Sequence, residues 1–172
     1  MQNIFPILSH DGSLLIKIGG FGAAKIPSDS DPLVTMVGTL EFMAPEIIDE
    51  SGPYTHAVDI WSLGCLFFTL LTGKTLFPHR RSFYIYVYHP DGSEINNPRN
   101  ALLAQGIRSE AAMDLVMRML QINPENRPSA KAALSHQWFT NPSGMETQVT
   151  PELYNHFVQV LSGPKLRRFN GT

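Results

Sequence analysis

The chain has 172 residues, with 13 Lys and Arg against 15 Asp and Glu, a net charge of −2, and 43% hydrophobic residues. That length suits one domain with a tail, and the apolar fraction is that of a globular protein rather than a disordered one. The near-neutral balance argues against a nucleic-acid binder, and the single cysteine, Cys65, excludes a disulfide framework or a Cys-rich zinc module.

In chain order, Ile4 to Leu8 and Leu14 to Ile18 are short apolar runs around Ser9-His10-Asp11-Gly12, a hairpin signal because Asp-Gly tolerates the positive φ of tight turns. Gly19-Gly20-Phe21-Gly22 follows, then an irregular loop from Ile26 to Val37. Asp59 is expected to cap a helix through Thr72, with Gly73 as its stop. Its apolar residues occupy nearly every face, which places it at the centre of the fold. The stretch from Phe77 to Asn97 is expected to be a loop, with Tyr84, Tyr86 and Tyr88 alternating as a short strand face would. A helix from Pro98 to Gln105 is capped by Asn97. Ser109 opens a helix carrying Ala112, Leu115, Val116, Met119 and Leu120 at helical spacing, closed by Asn123-Pro124. Ser129 opens another, with Ala130, Ala133, Leu134 and Trp138 on one face. Asn141 to Gln148 is a linker, and Thr150-Pro151-Glu152 starts a final amphipathic helix with Leu153, Phe157, Val160 and Leu161. Lys165 to Arg168 is a solvated basic tail.

The longest apolar stretch, Ile60 to Leu71, is about 12 residues, short of the ~20 that a bilayer needs, so no membrane span is expected. No cationic stretch followed by an apolar one opens the sequence, which sets an expectation of an intracellular chain, cytoplasmic or nuclear. None of the six histidines pairs at metal-ligand spacing, so no metal site is expected. The glycines after the second run are not followed by a helix whose N-terminus could hold phosphate, and no Walker-type lysine is present, so a dinucleotide or P-loop cradle fails locally. No Gly-x-Ser-x-Gly elbow is present either.

The string Val37-Gly38-Thr39-Leu40-Glu41-Phe42-Met43-Ala44-Pro45-Glu46 resembles the end of a eukaryotic protein-kinase activation segment. Lys17 to Lys25 resembles the strand and Asp-Phe-Gly turn that open that segment, Asp59-Ile60-Trp61-Ser62-Leu63-Gly64 the start of the central helix of the C-terminal lobe, and Asn123 to Ser129 with His136-Gln137-Trp138-Phe139 its close. The resemblance implies a mainly α (α+β) fold: a protein-kinase-like C-terminal lobe over residues 1–139 with a small β-hairpin and no N-terminal lobe, an activation segment over about 20–46, and a linker with a short helix over 140–172.

By resemblance, Glu46 and Arg127 match a buried ion pair that ties the activation segment to the helices. Asp59 matches an aspartate reaching back to the catalytic-loop backbone. Asn3 matches the catalytic-loop asparagine, Thr39 the substrate-side threonine of Ser/Thr-directed members, and Thr35 the position of an activating phosphothreonine, although an ordinary loop residue fits equally well there. Gly20 occupies the position of the Asp-Phe-Gly aspartate, whose carboxylate holds Mg²⁺ in the family, and glycine offers no oxygen. The 172 residues also contain no glycine-rich loop, strand lysine or His-Arg-Asp aspartate. The family uses ATP and Mg²⁺; no cofactor and no complete catalytic set are expected for this chain. Three readings follow: a partial Ser/Thr protein kinase domain that does not catalyse as it stands, a non-catalytic protein-interaction or regulatory module, or a degenerate fragment with no function. Partners are proteins, not nucleic acid or membrane, with self-association through a central helix left uncovered on one side.

Overall fold

The computed structural model describes residues 3–8, 13–24, 40–49, 53–89 and 97–140, together with His10 and Val158. The chain divides into two compact units, residues 1–22 with 144–172, and residues 23–143. In the first, β1 (Ile4–Leu8) pairs antiparallel with β2 (Leu14–Ile18), in a register that sets Ile4 opposite Ile18, Phe5 opposite Lys17 and Ile7 opposite Leu15. One further rung follows, since the Gly19 N–H donates to the Asn3 carbonyl at 2.9 Å. The expected strands are therefore present; Asp11 and Gly12 of the turn lie outside the described residues.

The second unit is helical. Its elements are α1 (Pro45–Ile48), α2 (Ala57–Thr72), α3 (Arg80–Tyr88), α4 (Pro98–Ala104), α5 (Glu110–Met119), α6 (Ala130–Leu134) and α7 (Gln137–Thr140), with one-turn 3-10 pieces at Leu40–Phe42 and Pro124–Asn126. The mainly helical α+β class expected from the sequence is what the chain adopts. Caps fall where polar residues precede apolar periodicity. The Asn97 side chain accepts from the Arg99 N–H, Ser109 from Ala112 and Ser129 from Ala132, each satisfying an amide that the first turn leaves free.

Helix α2 is the axis of this unit. Trp61, Cys65 and Phe68 are buried in one cluster with Phe77, Phe83, Leu102 and Val116. Gly64 sets the closest approach to α5: a Cβ there would stand 2.9 Å from the Met119 Cβ and 3.0 Å from a Leu120 methyl. Both neighbours are fixed by their own packing, so any larger residue would push the helices apart. The Cys65 thiol is pushed up by burial and stays protonated, which makes it an inert core residue.

Three expectations are corrected. The α2 helix starts at Ala57, not Asp59; its N-cap is His56, and Thr55 Oγ1 accepts from the Ala57 N–H at 3.2 Å. Asp59 instead lies exposed in the first turn, where a carboxylate suits the positive end of the helix dipole. The stretch expected to be a loop holds α3. Phe83, Tyr86 and Val87, at i, i+3 and i+4, turn inward against Trp61 and Phe77, and that packing overrides the alternating tyrosines. The helix that Ser129 opens breaks after Leu134. Trp138 then sits on α7 against Phe67, while Leu134 points to solvent rather than sharing a buried face with Ala133. Along α2, Leu63 is 43% exposed, and the one other exposed position of the helix is Asp59.

The joint between α5 and α7 is electrostatic. His136 Nε2 meets Asp114 Oδ2 at 2.8 Å, Arg118 Nε meets the same oxygen at 2.9 Å, and the His136 Nδ1 accepts the Trp138 N–H at 3.2 Å. The hydrogen bond from His136, followed by Arg118, holds the Asp114 carboxyl below its ordinary value. A carboxyl depressed in the folded chain contributes stability above its unfolded pKa of about 3.9 and loses it as pH falls through the folded value. Acidification from about pH 5 to 3 is therefore expected to lower the melting temperature more steeply for the native chain than for Asp114→Asn. Parallel melting curves across that range would contradict the assignment.

Candidate functional site

The residues that the kinase resemblance singles out fall into two groups, one in each unit. In the hairpin unit, the register that continues from Ile4–Ile18 to Asn3–Gly19 brings Asn3 beside Gly20. Gly20 has φ +76°, left-handed backbone that side chains adopt rarely, with Asn and Asp the tolerated exceptions. A Cβ on Gly20 would fall on the side-chain amide of Asn3. The space where a residue-20 carboxylate would begin is thus filled by a neutral amide, at the end of a short side chain that is itself exposed.

This arrangement does not fit Mg²⁺. The ion is hard, prefers six oxygens in octahedral geometry and is held in phosphate sites by carboxylates. Here the position offers one side-chain amide oxygen from Asn3 and no side-chain oxygen from Gly20. A neutral donor without an anionic partner gives little of the charge needed to hold a strongly hydrated dication.

In the helical unit, the stretch that resembles the end of an activation segment is anchored. Met43, Ala44 and Pro45 are buried, and Pro45 takes the first position of α1, where a missing N–H leaves nothing unsatisfied. Glu46 then points its carboxylate at Arg127. The pair is bidentate, Nη1 to Oε1 at 2.6 Å and Nη2 to Oε2 at 2.9 Å, and the Arg127 side chain is fully buried. The guanidinium spends its remaining donors on three carbonyls, those of Ala57 (3.0 Å), Gln121 (2.8 Å) and Ile122 (3.1 Å). Every N–H of a five-donor group is used. Its carbon also lies 5.1 Å from the Trp61 ring centroid, a cation–π contact in a desolvated place.

Two more contacts hold the segment. Ser62 Oγ donates to the Phe42 carbonyl at 2.7 Å, tying α2 to the 3-10 turn before α1. The Tyr88 hydroxyl donates to the Asp49 carboxylate, so the end of α3 meets the residue that caps α1. Burial, then that bond, pushes the Tyr88 hydroxyl up to about 12.

Asn3 with Gly20, and Glu46 with Arg127, are thus the two pairs that the structure brings together. Asp59 stands on the exposed side of the first turn of α2, and Thr35 and Thr39 lie outside the described residues. Sequence reasoning missed the three carbonyl acceptors, the Trp61 ring under Arg127 and the Tyr88–Asp49 bond. Only the Asn3–Gly20 proximity had a readable signal, the hairpin register itself.

Comparison with known proteins places the chain in a family. The family model "Protein kinase domain" matches residues 1–139. The chain is 32% identical over 167 residues to the serine/threonine-protein kinase RAD53 of Saccharomyces cerevisiae, covering 90% of this chain and 19% of that protein. It is 36% identical over 147 residues to the serine/threonine-protein kinase cds1 of Schizosaccharomyces pombe, covering 82% and 31%. A crystal structure of Rad53 in complex with AMP-PNP superposes with a TM-score of 0.55 at 34% identity, over 80% of this chain and 32% of that one. The chain therefore spans between about a fifth and a third of the length of these relatives. With the family model matched over residues 1–139 and serine/threonine-protein kinases among its relatives, the chain belongs to the protein kinase domain family.

Proposed function

We propose that residues 1–139 are the C-terminal-lobe part of a serine/threonine protein kinase domain that no longer holds catalytic metal, and that residues 140–172 are an appended linker and helix. The observation that carries the reading is Gly20, which has no carboxylate to offer and whose side-chain space is taken by the Asn3 amide. In the family, Mg²⁺ neutralises charge on the β- and γ-phosphates. Metal stabilisation is worth several kcal/mol, and each 1.36 kcal/mol is tenfold in rate, so a loss of about a thousandfold follows from this position alone. Thr39 is the substrate-side threonine of a Ser/Thr-directed member, Thr35 a phosphorylation site in the activation segment, and Asp59 the residue that steadies the catalytic-loop backbone. The relatives' names, protein kinases acting on serine and threonine, support a protein as the natural partner.

The Glu46–Arg127 anchor favours a second, compatible reading. A chain that had merely decayed would have no reason to keep five satisfied guanidinium donors, so the fold serves a protein-interaction or regulatory role inside the cell, self-association through the Leu63 side of α2 included. Among the described residues no helix is long and apolar enough to cross a membrane.

Titration calorimetry tests the reading. The chain is expected to give no Mg²⁺-dependent heat with ATP up to millimolar concentration, and no shift of its melting temperature. A saturable Mg²⁺-dependent isotherm would overturn the proposal. Gly20→Asp alone is expected to restore little binding in this chain, because Asn3 must first swing away and the new residue must keep a positive φ.

A further inference from the structure

A cavity of about 210 Å³ opens on the helical unit where the end of α2, the start of α3 and the end of α4 converge. Phe68, Leu76, Pro78 and Ala101 give it an apolar floor, and Lys74 and Ser82 are among the polar residues of its wall. An apolar cavity of about 150 Å³ takes one benzene ring, whereas sites for cofactors and drug-sized molecules begin near ~300 Å³. This one has room for a single large side chain and not for a nucleotide.

The charge around it has one sign. The described residues between 60 and 109 hold five cations, Lys74, Arg80, Arg81, Arg99 and Arg108, and no carboxylate; Asp91 and Glu94 lie outside the described residues. Arg99 is paired with Glu110 at 2.6 Å, and Arg108 donates to the Leu103 and Ile107 carbonyls. Arg80 lies over the Tyr84 ring. Lys74 and Arg81 are exposed, and neither side chain has a carboxylate partner among the described residues. Such a patch attracts anionic partners.

We propose that the cavity docks an acidic peptide segment of a partner protein. One large apolar side chain seats over Phe68 and Leu76, and flanking Asp or Glu residues meet Lys74 in the wall and Arg81 beside Ser82. A phosphate or a nucleic-acid backbone would answer the charge but gain nothing from the apolar floor. A neutral apolar peptide would cover Lys74 and leave it without a counter-charge. Only a segment with both features rewards both, the buried anchor supplying most of the affinity and the rim charges the choice of partner. The inference gives a partner chemistry to the protein-interaction reading above and rests on it.

Fluorescence anisotropy on the full chain tests it, using a labelled pool of heptapeptides in which Asp and Glu flank one central Leu, Met or Phe. Saturable binding is expected. Lys74→Glu should weaken it at least about tenfold, and so should Ala104→Trp, which fills the cavity without changing its charge. Lys131→Glu, an exposed cation outside the cavity lining, should leave it unchanged. Three results would overturn the proposal: no saturation up to about millimolar peptide, equal binding of a pool with Lys in place of Asp and Glu, or equal binding of a pool with a central Gly, the mark of a plain anion site. Should Ala104→Trp unfold the chain, Lys74→Glu and the central-Gly pool decide. A failed titration removes this surface alone; binding at the Leu63 side of α2 and the response to Mg²⁺ and ATP are read in separate experiments.

Discussion

Replacing Arg127 by alanine is expected to lower the unfolding free energy by about 3–5 kcal/mol, the range for removing one partner of a buried ion pair. The loss is large because a single truncation leaves the Glu46 carboxylate without its two guanidinium bonds and three carbonyls without the donor they share. Arg127→Lys should recover little of it. An ammonium is a point charge with three donors and cannot form the planar fork, nor reach acceptors on the α2 start, the α5 exit and α1 together. Equilibrium urea unfolding of the two variants checks this. A lysine variant of native stability would mean that charge alone, not the fork, holds the segment.

The second large effect is at Trp61, which is fully buried and packs against Phe77, Phe83 and Tyr86 with ring centroids 6.1 to 6.3 Å away. Trp61→Ala should cost about 3–5 kcal/mol, as a core aromatic leaves a cavity that its neighbours fill only in part. Trp61→Phe should cost only about 1–2 kcal/mol. The indole N–H has no hydrogen-bond partner among the described residues, so its removal relieves a desolvated donor and offsets part of the lost volume. Calorimetric melts of both variants measure the difference, and a Phe variant as unstable as the Ala variant would show that the indole volume alone matters. Because the Arg127 guanidinium rests on this ring, Trp61→Ala combined with Arg127→Ala should fall short of additivity by at least about 0.5 kcal/mol.

The legibility of this chain divides along the same lines. Much of the local chemistry was readable, although the start of α2 was expected at Asp59 and lies at Ala57. Asn97, Ser109 and Ser129 cap the helices they precede, and the two apolar runs around Asp11-Gly12 pair as strands. What failed was decided by distant partners. From Phe83 to Tyr88 the sequence supports both a two-residue and a three-to-four-residue period; packing against Phe77 and against Trp61, which lies well before it in the chain, selects the helical one. Leu134 looks like a core residue by its neighbours, yet the chain breaks at Ser135 and leaves it in water. For the site, Glu46 and Arg127 could be paired only through the kinase resemblance, since nothing in their local sequence links them. The carbonyls of Ala57, Gln121 and Ile122 could not be named at all, because every residue has one and only the fold says which three converge.

The Glu46–Arg127 clasp has a consequence for the order in which the helical unit assembles. Its two ends are 81 residues apart. Closing an open loop of that length costs about 4 kcal/mol by the logarithmic rule, about what the loss of Arg127 is expected to cost, and the net worth of the pair itself is smaller. The pair therefore cannot nucleate folding. It forms once α2 and α5 have crossed at Gly64 and shortened the path, and from then on it acts on the escape rate, as a bolt slid home after the door has shut.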